Sequence, residues 1–178
     1  FTWSDAKEQV NSYNGKLYRD DPTIMSWQLG NEPRGINNRE YFLDWIDSSA
    51  QLIKEIDPNH LVTIGSEGST AHSSSGNNFF EDHKSEHIDY TTIHIWIQNW
   101  GWFNPNDEKS LSNSIDKVQT YINEHEKLAV KLNKPAVLEE FGISRDYNDY
   151  TSDSPITLRD TYFNKVFDII FSKAKTDS

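Results

Sequence analysis

The sequence contains no cysteine in its 178 residues, and this absence removes several classes of protein. Disulfide-stapled scaffolds, cysteine-ligated zinc sites and thiol catalysis all require the missing side chain. No apolar run approaches the roughly 20 residues that a membrane-spanning helix needs, so we predict no membrane span. Lys and Arg number 17 against 28 Asp and Glu, which gives a net charge of −11. Because this charge repels phosphates, we predict no nucleic-acid partner.

Aromatic residues are plentiful, with six Trp, eight Tyr and nine Phe. They indicate a folded chain rather than a disordered one, and a chain of this length is typical of a single domain. The chain begins with Phe1 rather than Met, so we expect an upstream segment to have been removed. Our expectation for its location is a secreted, cell-surface or periplasmic protein, and no signal peptide is present in the sequence.

Helix-like and strand-like segments alternate along the chain, which is typical of a parallel sheet with helical crossovers. In order, the sequence predicts a helix ending at residue 13, a strand at 24–29, a helix capped by Asn37 and ended by Asp57-Pro58, a strand at 61–65, a polar stretch at 66–89, a strand at 90–98, an aromatic loop at 99–107, a helix at 112–132, a strand at 135–141, a loop at 144–155 and a helix from residue 157. Polar residues at the strand ends point to the carboxyl-end face of a (β/α)8 barrel. Such a barrel needs eight strands and roughly 250 residues, so the α/β fold predicted here is part of one.

Four short motifs lie at the predicted strand ends. They are Trp27-Gln28-Leu29-Gly30-Asn31-Glu32-Pro33-Arg34, Gly65-Ser66-Glu67-Gly68, His94-Ile95-Trp96-Ile97-Gln98-Asn99-Trp100-Gly101-Trp102 and Leu138-Glu139-Glu140-Phe141-Gly142. The first and last resemble the fourth- and seventh-strand signatures of glycoside hydrolase family 5. The middle two are similar to its endo-β-1,4-mannanases, as is the approach Asp21-Pro-Thr-Ile-Met-Ser-Trp27.

The resemblance implies which part of the barrel the chain contains. The predicted strands would be about the fourth to the seventh, so residues 1–178 would form a partial (β/α)8 catalytic domain without the early strands and the last strand. Family members carry an arginine on an early strand and a tryptophan after the eighth, and neither has a counterpart here. Activity of the 178-residue chain alone is therefore in question.

The resemblance also implies a two-glutamate site. Retaining glycosidases place two carboxyl groups about 5 to 5.5 Å apart, one to protonate the leaving oxygen and one to attack the anomeric carbon. By the match, Glu32 would be the acid/base and Glu140 the nucleophile, while Asn31 would hydrogen-bond the 2-hydroxyl of the sugar. Glu139 competes with Glu140, but adjacent strand residues face opposite ways. Glu139 would then point away or sit in a supporting hydrogen bond.

Six further residues are predicted to contact or support the substrate. By resemblance, His94 would line the cleavage subsite, and Trp96 stands where many family members carry a tyrosine, so a hydroxyl contact to the nucleophile would be lacking. At least one of Trp100, Trp102 and the neighbouring Phe103 is predicted to stack on a sugar ring, since three large aromatics are hard to bury in a loop. Arg34 would contact the leaving-group side or form a structural salt bridge, and Glu67 would support the site.

Two metal-binding interpretations are weaker. His83-Lys84-Ser85-Glu86-His87 matches the H-x-x-E-H pattern of inverted zinc peptidases, which needs both histidines on one face of a stable helix. The stretch is short and polar, and a solvated turn is the better interpretation. The acidic loop 146–153 lacks the glycine and terminal glutamate spacing of an EF-hand. We predict no metal site and no cofactor.

The sequence as a whole predicts a retaining endo-β-1,4-mannanase that hydrolyses mannan-type polysaccharides and is a monomer when full length. One alternative is a β-1,4-glucanase of the same family, which would share both glutamates but differ in recognising the axial 2-hydroxyl. The other is a catalytically incomplete fragment that at most binds glycans, because missing strands would leave unpaired sheet edges.

Overall fold

The computed structural model describes residues 9–69 and 75–176, and strands and helices alternate along them. Its strands are β1 (Ser26–Gln28), β2 (Leu61–Thr63), β3 (Thr91–Ile95) and β4 (Ala136–Phe141); its α-helices are α1 (Arg39–Ile56), α2 (Phe79–Asp82), α3 (Ser110–Leu132) and α4 (Thr157–Thr176). Short 3₁₀ helices lie at Tyr18–Asp20 and Asp146–Asn148. The described residues pack into two compact units. The first contains those up to Ile93 together with Leu128–Val137, and the second contains His94–Lys127 and those from Leu138 onwards.

The first unit is built on a parallel strand pair. β1 and β2 run parallel, with Trp27 opposite Val62. Helix α1 connects them, as a parallel pair requires a long crossover. The hydrophobic core of this unit combines the buried face of α1 with β2 and the segments that follow it: Ile46, Ala50, Ile53, Val62, Ile64 and Ile88, with Trp27, Leu29, Phe42 and Leu43 packed against them.

A buried polar network lies beneath this core. The Asp57 carboxylate accepts hydrogen bonds from Trp27 Nε1 and His60 Nδ1, both at 2.6 Å, and His60 Nε2 lies 3.0 Å from the carbonyl oxygen of Asp21. Burial lowers the pKa of His60, but its bonds to Asp57 and to the Asp21 carbonyl outweigh burial and raise it overall. Burial raises the pKa of Asp57, and the hydrogen bonds from Trp27 and His60 reverse this, so its pKa is lowered overall.

The second sheet pairs β3 with β4. Every residue of β3 is buried, as expected for a strand covered on both faces. In the second unit, helix α4 contributes the fully buried Tyr162, whose hydroxyl donates to the carbonyl of Ile95 at 3.4 Å. Tyr162 also meets the ring of Phe141 at a centroid distance of 6.2 Å, so α4 is anchored to the ends of both strands.

The predicted order of elements is confirmed, with local corrections. Residues 9–13 are not the end of a helix, since Val10 forms an antiparallel bridge with Leu17; the earlier part of that predicted helix lies outside the described residues. The cap of α1 is Asn38 rather than Asn37, and its side chain accepts from the amide of Tyr41 at 3.1 Å. The short helix α2 lies within the stretch predicted to be simply polar. Across 9–69 and 75–176, no helix has the length and apolar character needed to cross a membrane.

Candidate active site

Glu32 is placed by a backbone ladder that continues beyond β1. The amide of Leu29 donates to the carbonyl of Thr63 at 3.0 Å, that of Gly30 to Ile64 at 3.2 Å, and that of Glu32 to Gly65 at 2.9 Å. The backbone of Glu32 has a φ of +47°. A glutamate in this left-handed region is uncommon and costs free energy, of order 1–3 kcal/mol, which the surrounding structure must supply. This backbone conformation therefore sets the direction in which the Glu32 side chain starts from the backbone.

Gly65 makes this close approach feasible. Its φ is +81°, and a Cβ on it would lie 2.1 Å from the Gly30 carbonyl oxygen and 2.1 Å from Gln28 Nε2. Only a residue without a side chain fits in this position. The predicted strand-end motif Gly65-Ser66-Glu67-Gly68 thus has a concrete role in bringing two strand ends together.

The predicted support residues Arg34 and Glu67 meet in an ion pair. Arg34 lies 2.7 Å from Glu67 Oε1, and the Glu67 side chain is 3% exposed against 43% for Arg34. A buried carboxylate needs such a partner, since an isolated buried charge is costly. The structural salt bridge considered for Arg34 is confirmed. Asn31, on the same segment, is exposed.

Glu140 lies near the end of β4, close to His94 of β3 and to Trp96, which follows β3. Trp96 Nε1 donates to Glu140 Oε2 at 3.1 Å, and His94 Nδ1 lies 3.5 Å from the same oxygen. His94 is fully buried, whereas the Glu140 side chain is 34% exposed. The hydroxyl expected to be lacking at position 96 is replaced by an indole N–H. The indole N–H therefore orients the Glu140 carboxylate.

Glu139 lies on the other side of His94. Its Oε2 is 3.4 Å from His94 Nε2, so the supporting contact predicted as one of its two alternatives is present. The Glu139 side chain is 18% exposed, less than that of Glu140. Since neutral imidazole has one N–H, His94 can donate to both glutamates only as the imidazolium.

The aromatic loop after β3 packs against α3. The Trp100 and Trp102 rings meet edge to face at 5.0 Å, and Tyr121 of α3 lies 5.4 Å from Trp100 and 6.2 Å from Trp102. Phe103 is buried. Packing therefore explains Phe103, while Trp100 and Trp102 keep partly accessible rings. Their contact with sugar remains a prediction.

Sequence reasoning missed the role of Gln98. Its side-chain oxygen accepts from Ser144 Oγ at 2.9 Å, and its Nε2 donates to Asn148 Oδ1 at 3.0 Å. Tyr147 and Asn148 have φ values of +59° and +57°, so Gln98 stabilises a strained loop just beyond β4. The signal available in the sequence was a polar residue at the end of an isoleucine-rich strand.

The H-x-x-E-H stretch does not form the helix that a zinc peptidase needs. α2 ends at Asp82, and His83 is its C-cap, with Nδ1 bonded to the Phe79 carbonyl at 2.7 Å. Residues 84–87 form no helix. Since the two histidines do not share a helical face, the pattern is a chance match.

A parallel strand pair joined by a helical crossover, with carboxylates at the strand ends, defines the class of protein as an α/β scaffold that carries functional side chains at its strand ends. The chain belongs to the GH family 5 beta-mannosidase-like family, whose sequence model matches residues 5–178.

Named relatives agree with this assignment. Mannan endo-1,4-beta-mannosidase 5 of Arabidopsis thaliana is 33% identical over 93% of this chain and 40% of its own length. The glycoside hydrolase family 5 mannosidase of Rhizomucor miehei superposes with a TM-score of 0.86 at 34% identity, over 98% of this chain and 42% of that one. A variant of that enzyme was solved with mannosyl-fructose.

The hyperthermostable endo-1,4-beta-D-mannanase of Thermotoga petrophila is a more distant match, with a TM-score of 0.72 and 28% identity over 95% of this chain and 48% of that one. The chain spans about 40% of the length of the curated relatives it matches, so it corresponds to part of such an enzyme.

Proposed function

We propose that the full-length protein is a retaining endo-β-1,4-mannanase in which Glu32 is the acid/base and Glu140 the nucleophile. The observation that carries the proposal most directly is the setting of Glu140, with an indole N–H at 3.1 Å and a fully buried histidine at 3.5 Å from one carboxylate oxygen. A nucleophilic carboxylate must be held in a fixed orientation, and both neighbours restrict the Glu140 side chain. Family membership and the mannan-cleaving relatives support the reaction class.

The proposed reaction has two steps. First, a Glu140 oxygen bonds to the anomeric carbon as the glycosidic bond breaks, and Glu32 gives its proton to the departing sugar oxygen. Second, Glu32 removes a proton from water, the water oxygen bonds to the anomeric carbon, and the ester bond to Glu140 breaks. The product keeps the original anomeric configuration, and both glutamates return to their starting states.

The remaining predicted residues take supporting roles in this proposal. Asn31, adjacent to Glu32 and exposed, would hydrogen-bond the 2-hydroxyl, an interaction that strengthens in the transition state. His94 and Trp96 would hold Glu140, while the Arg34–Glu67 pair would form the wall on the leaving-group side. We further propose that the four strands correspond to about the fourth to the seventh of a (β/α)8 barrel. Export and a monomeric full-length state also remain predictions.

A chain-end β-mannosidase is the second candidate, because the Rhizomucor miehei mannosidase has a higher TM-score, 0.86, than the Thermotoga petrophila mannanase, 0.72. The products of mannan hydrolysis distinguish the endo-mannanase from the chain-end β-mannosidase. An endo-acting enzyme lowers the viscosity of galactomannan before much reducing sugar appears, whereas a chain-end enzyme releases mannose with little early change in viscosity. Preference for cellulose over mannan would contradict both candidates and favour the glucanase.

The roles of the glutamates are tested by azide rescue in the full-length protein. Glu32→Ala and Glu140→Ala should each lower kcat/KM on mannan at least about 1,000-fold. With an activated aryl β-mannoside, azide should rescue Glu32→Ala to the β-mannosyl azide and Glu140→Ala to the α-anomer. Glu55→Ala, an exposed change on α1, is the control and should behave as wild type. Reversed anomers would exchange the two roles, and wild-type rates in either variant would refute the site.

The isolated 178-residue chain provides a separate test. If it releases reducing sugar from mannan, the alternative of an incomplete fragment is wrong. If only the longer protein is active, that alternative holds for the isolated chain and the proposal holds for the parent enzyme.

A further inference from the structure

Trp102 and helix α3 line an open groove of about 310 Å³ in the second unit. Its lining residues are Trp102, Asp116, Lys117, Thr120, Tyr121 and Glu124. The groove lies on the helix side of the aromatic loop, and none of its lining residues belongs to the strand-end motifs of Glu32 or Glu140. Its volume is at the lower end of the range typical of small-molecule sites.

Two backbone hydrogen bonds and one ring contact hold Trp102, the aromatic residue of the groove, in place. The amide of Trp102 donates to the Ile97 carbonyl at 2.8 Å, and its carbonyl accepts from Ser114 Oγ at 2.8 Å. Its ring is supported edge to face by Trp100. A ring that is already fixed loses little conformational freedom when a ligand stacks on it, so stacking costs less free energy.

The opposite wall is a stripe of exposed polar side chains on α3. Asp116, Thr120 and Glu124 follow one another at four-residue spacing and therefore lie along one face of the helix. All three are exposed, so their oxygens are accessible to a ligand. Lys117 places its Nζ 5.7 Å from the centroid of the Trp102 ring. The groove thus combines an indole ring, with an ammonium group over it, and a row of hydrogen-bonding groups.

We propose that this groove is an additional glycan-binding site, which holds a stretch of the β-linked mannan chain outside the catalytic site. Pyranose rings have an apolar face that stacks on indole and an edge of hydroxyls that bonds to carboxylates and hydroxyl groups. Asp116, Glu124 and the net charge of −11 would repel an anionic ligand, and an indole ring beside hydroxyl-binding side chains matches a neutral sugar chain. This inference rests on the proposed function for the identity of the sugar.

To test the proposal, a bulky side chain is introduced into the groove of the full-length protein so that it blocks the glycan. Thr120→Trp places an indole in the groove, and Lys127→Trp adds the same side chain at an exposed α3 position that does not line it. The readout is the ratio of kcat/KM on mannan to kcat/KM on an aryl β-mannobioside too short to reach a second site. Thr120→Trp should lower this ratio about tenfold, the scale of one lost stacking contact with its hydrogen bonds. Lys127→Trp should leave it within about twofold of wild type.

A second readout does not depend on catalysis. Mannohexaose is titrated into the Glu140→Gln full-length protein while the indole N–H signal of Trp102, assigned with Trp102→Phe, is followed by NMR. A saturable shift that Thr120→Trp abolishes supports the groove. Absence of any shift, or an equal ratio in the two tryptophan variants, overturns it. If Thr120→Trp is active on the short substrate and its kcat/KM ratio is unchanged, the glycan site in the groove is refuted and the proposed function is not. If the wild-type protein is inactive on both substrates, the proposed function is refuted, and the NMR titration then decides whether the groove binds the glycan.

Discussion

Removing the indole N–H of Trp96 tests whether this residue controls Glu140. Trp96→Phe deletes the donor that lies 3.1 Å from Glu140 Oε2 and keeps an aromatic ring at the position. A hydrogen bond to a charged group contributes about 1.5–3 kcal/mol, which corresponds to roughly 10- to 100-fold in a rate constant that depends on it. We expect kcat on an aryl β-mannobioside to fall by that factor in the full-length protein.

The two chemical steps should not suffer equally. The N–H stabilises the carboxylate form of Glu140 more than the ester of the covalent intermediate, because charge-assisted hydrogen bonds are the stronger ones. Glu140 regains its charge when the intermediate breaks down, so loss of the donor slows that second step in particular. Trp96→Phe should therefore show a burst of aryl alcohol in rapid-mixing experiments, and mass spectrometry should detect the glycosylated enzyme.

The control for this prediction is Trp45→Phe. Trp45 lies on α1, is 38% exposed and stacks on Phe42 at a centroid distance of 5.7 Å. It should retain wild-type kinetics. If Trp96→Phe keeps kcat within about threefold of wild type, the loss is below the range for a charged hydrogen bond. The proposed role of Trp96 would then be wrong even if Glu140 remains the nucleophile.

Three further predictions concern the scaffold of the site, each measured by urea unfolding of the full-length protein. Gly65→Ala should lower the free energy of unfolding by about 2–4 kcal/mol and lower activity, since the new Cβ would overlap the Gly30 backbone at a residue with positive φ. A decrease of less than about 0.5 kcal/mol in the free energy of unfolding would contradict this prediction. Arg34→Ala should cost about 1–3 kcal/mol because it removes the cation that pairs with the buried Glu67 carboxylate, and solvent at the exposed Arg34 moderates the loss. Glu67→Gln should cost less, and the reverse order would refute the argument. Because the pKa of His60 is raised, its contribution to the free energy of unfolding is complete below its unfolded-state pKa and is lost as pH rises through the folded-state pKa. Because the pKa of Asp57 is lowered, its contribution is complete above its unfolded-state pKa and is lost as pH falls through the folded-state pKa. His60→Gln should remove the alkaline-side slope, and an unchanged slope would assign it elsewhere.

Helices and strands that depend on local sequence patterns could be predicted from the sequence. The 3.6-residue periodicity of α3 and the apolar run of β4 predicted elements close to Ser110–Leu132 and Ala136–Phe141. The cap of α1 was misplaced by one residue because two asparagines adjoin and either can cap. The four-residue α2 was missed because one turn carries no periodicity.

Contacts between distant positions were not readable. The bond between Trp96 and Glu140 joins residues 44 apart and depends on how β3 and β4 align, which a single sequence does not define. The same holds for Glu139, whose contact with His94 requires the register of both strands. The left-handed backbone of Glu32 was also unforeseen, since nothing in Asn-Glu-Pro marks a positive φ.

Specific hydrogen bonds position the backbone of Glu32 and the carboxylate of Glu140, the two proposed catalytic glutamates. Glu32 is fixed through its backbone, by the hydrogen bond from its amide to Gly65 and by a positive φ. An acid/base gives up its proton in one step and regains it in the next, and a fixed backbone presents its carboxyl in the same place for both steps. Glu140 is held through its carboxylate, by Trp96 and His94. A nucleophile loses its negative charge when the covalent intermediate forms and regains it when the intermediate breaks down, so an indole N–H on its oxygen assists the second step.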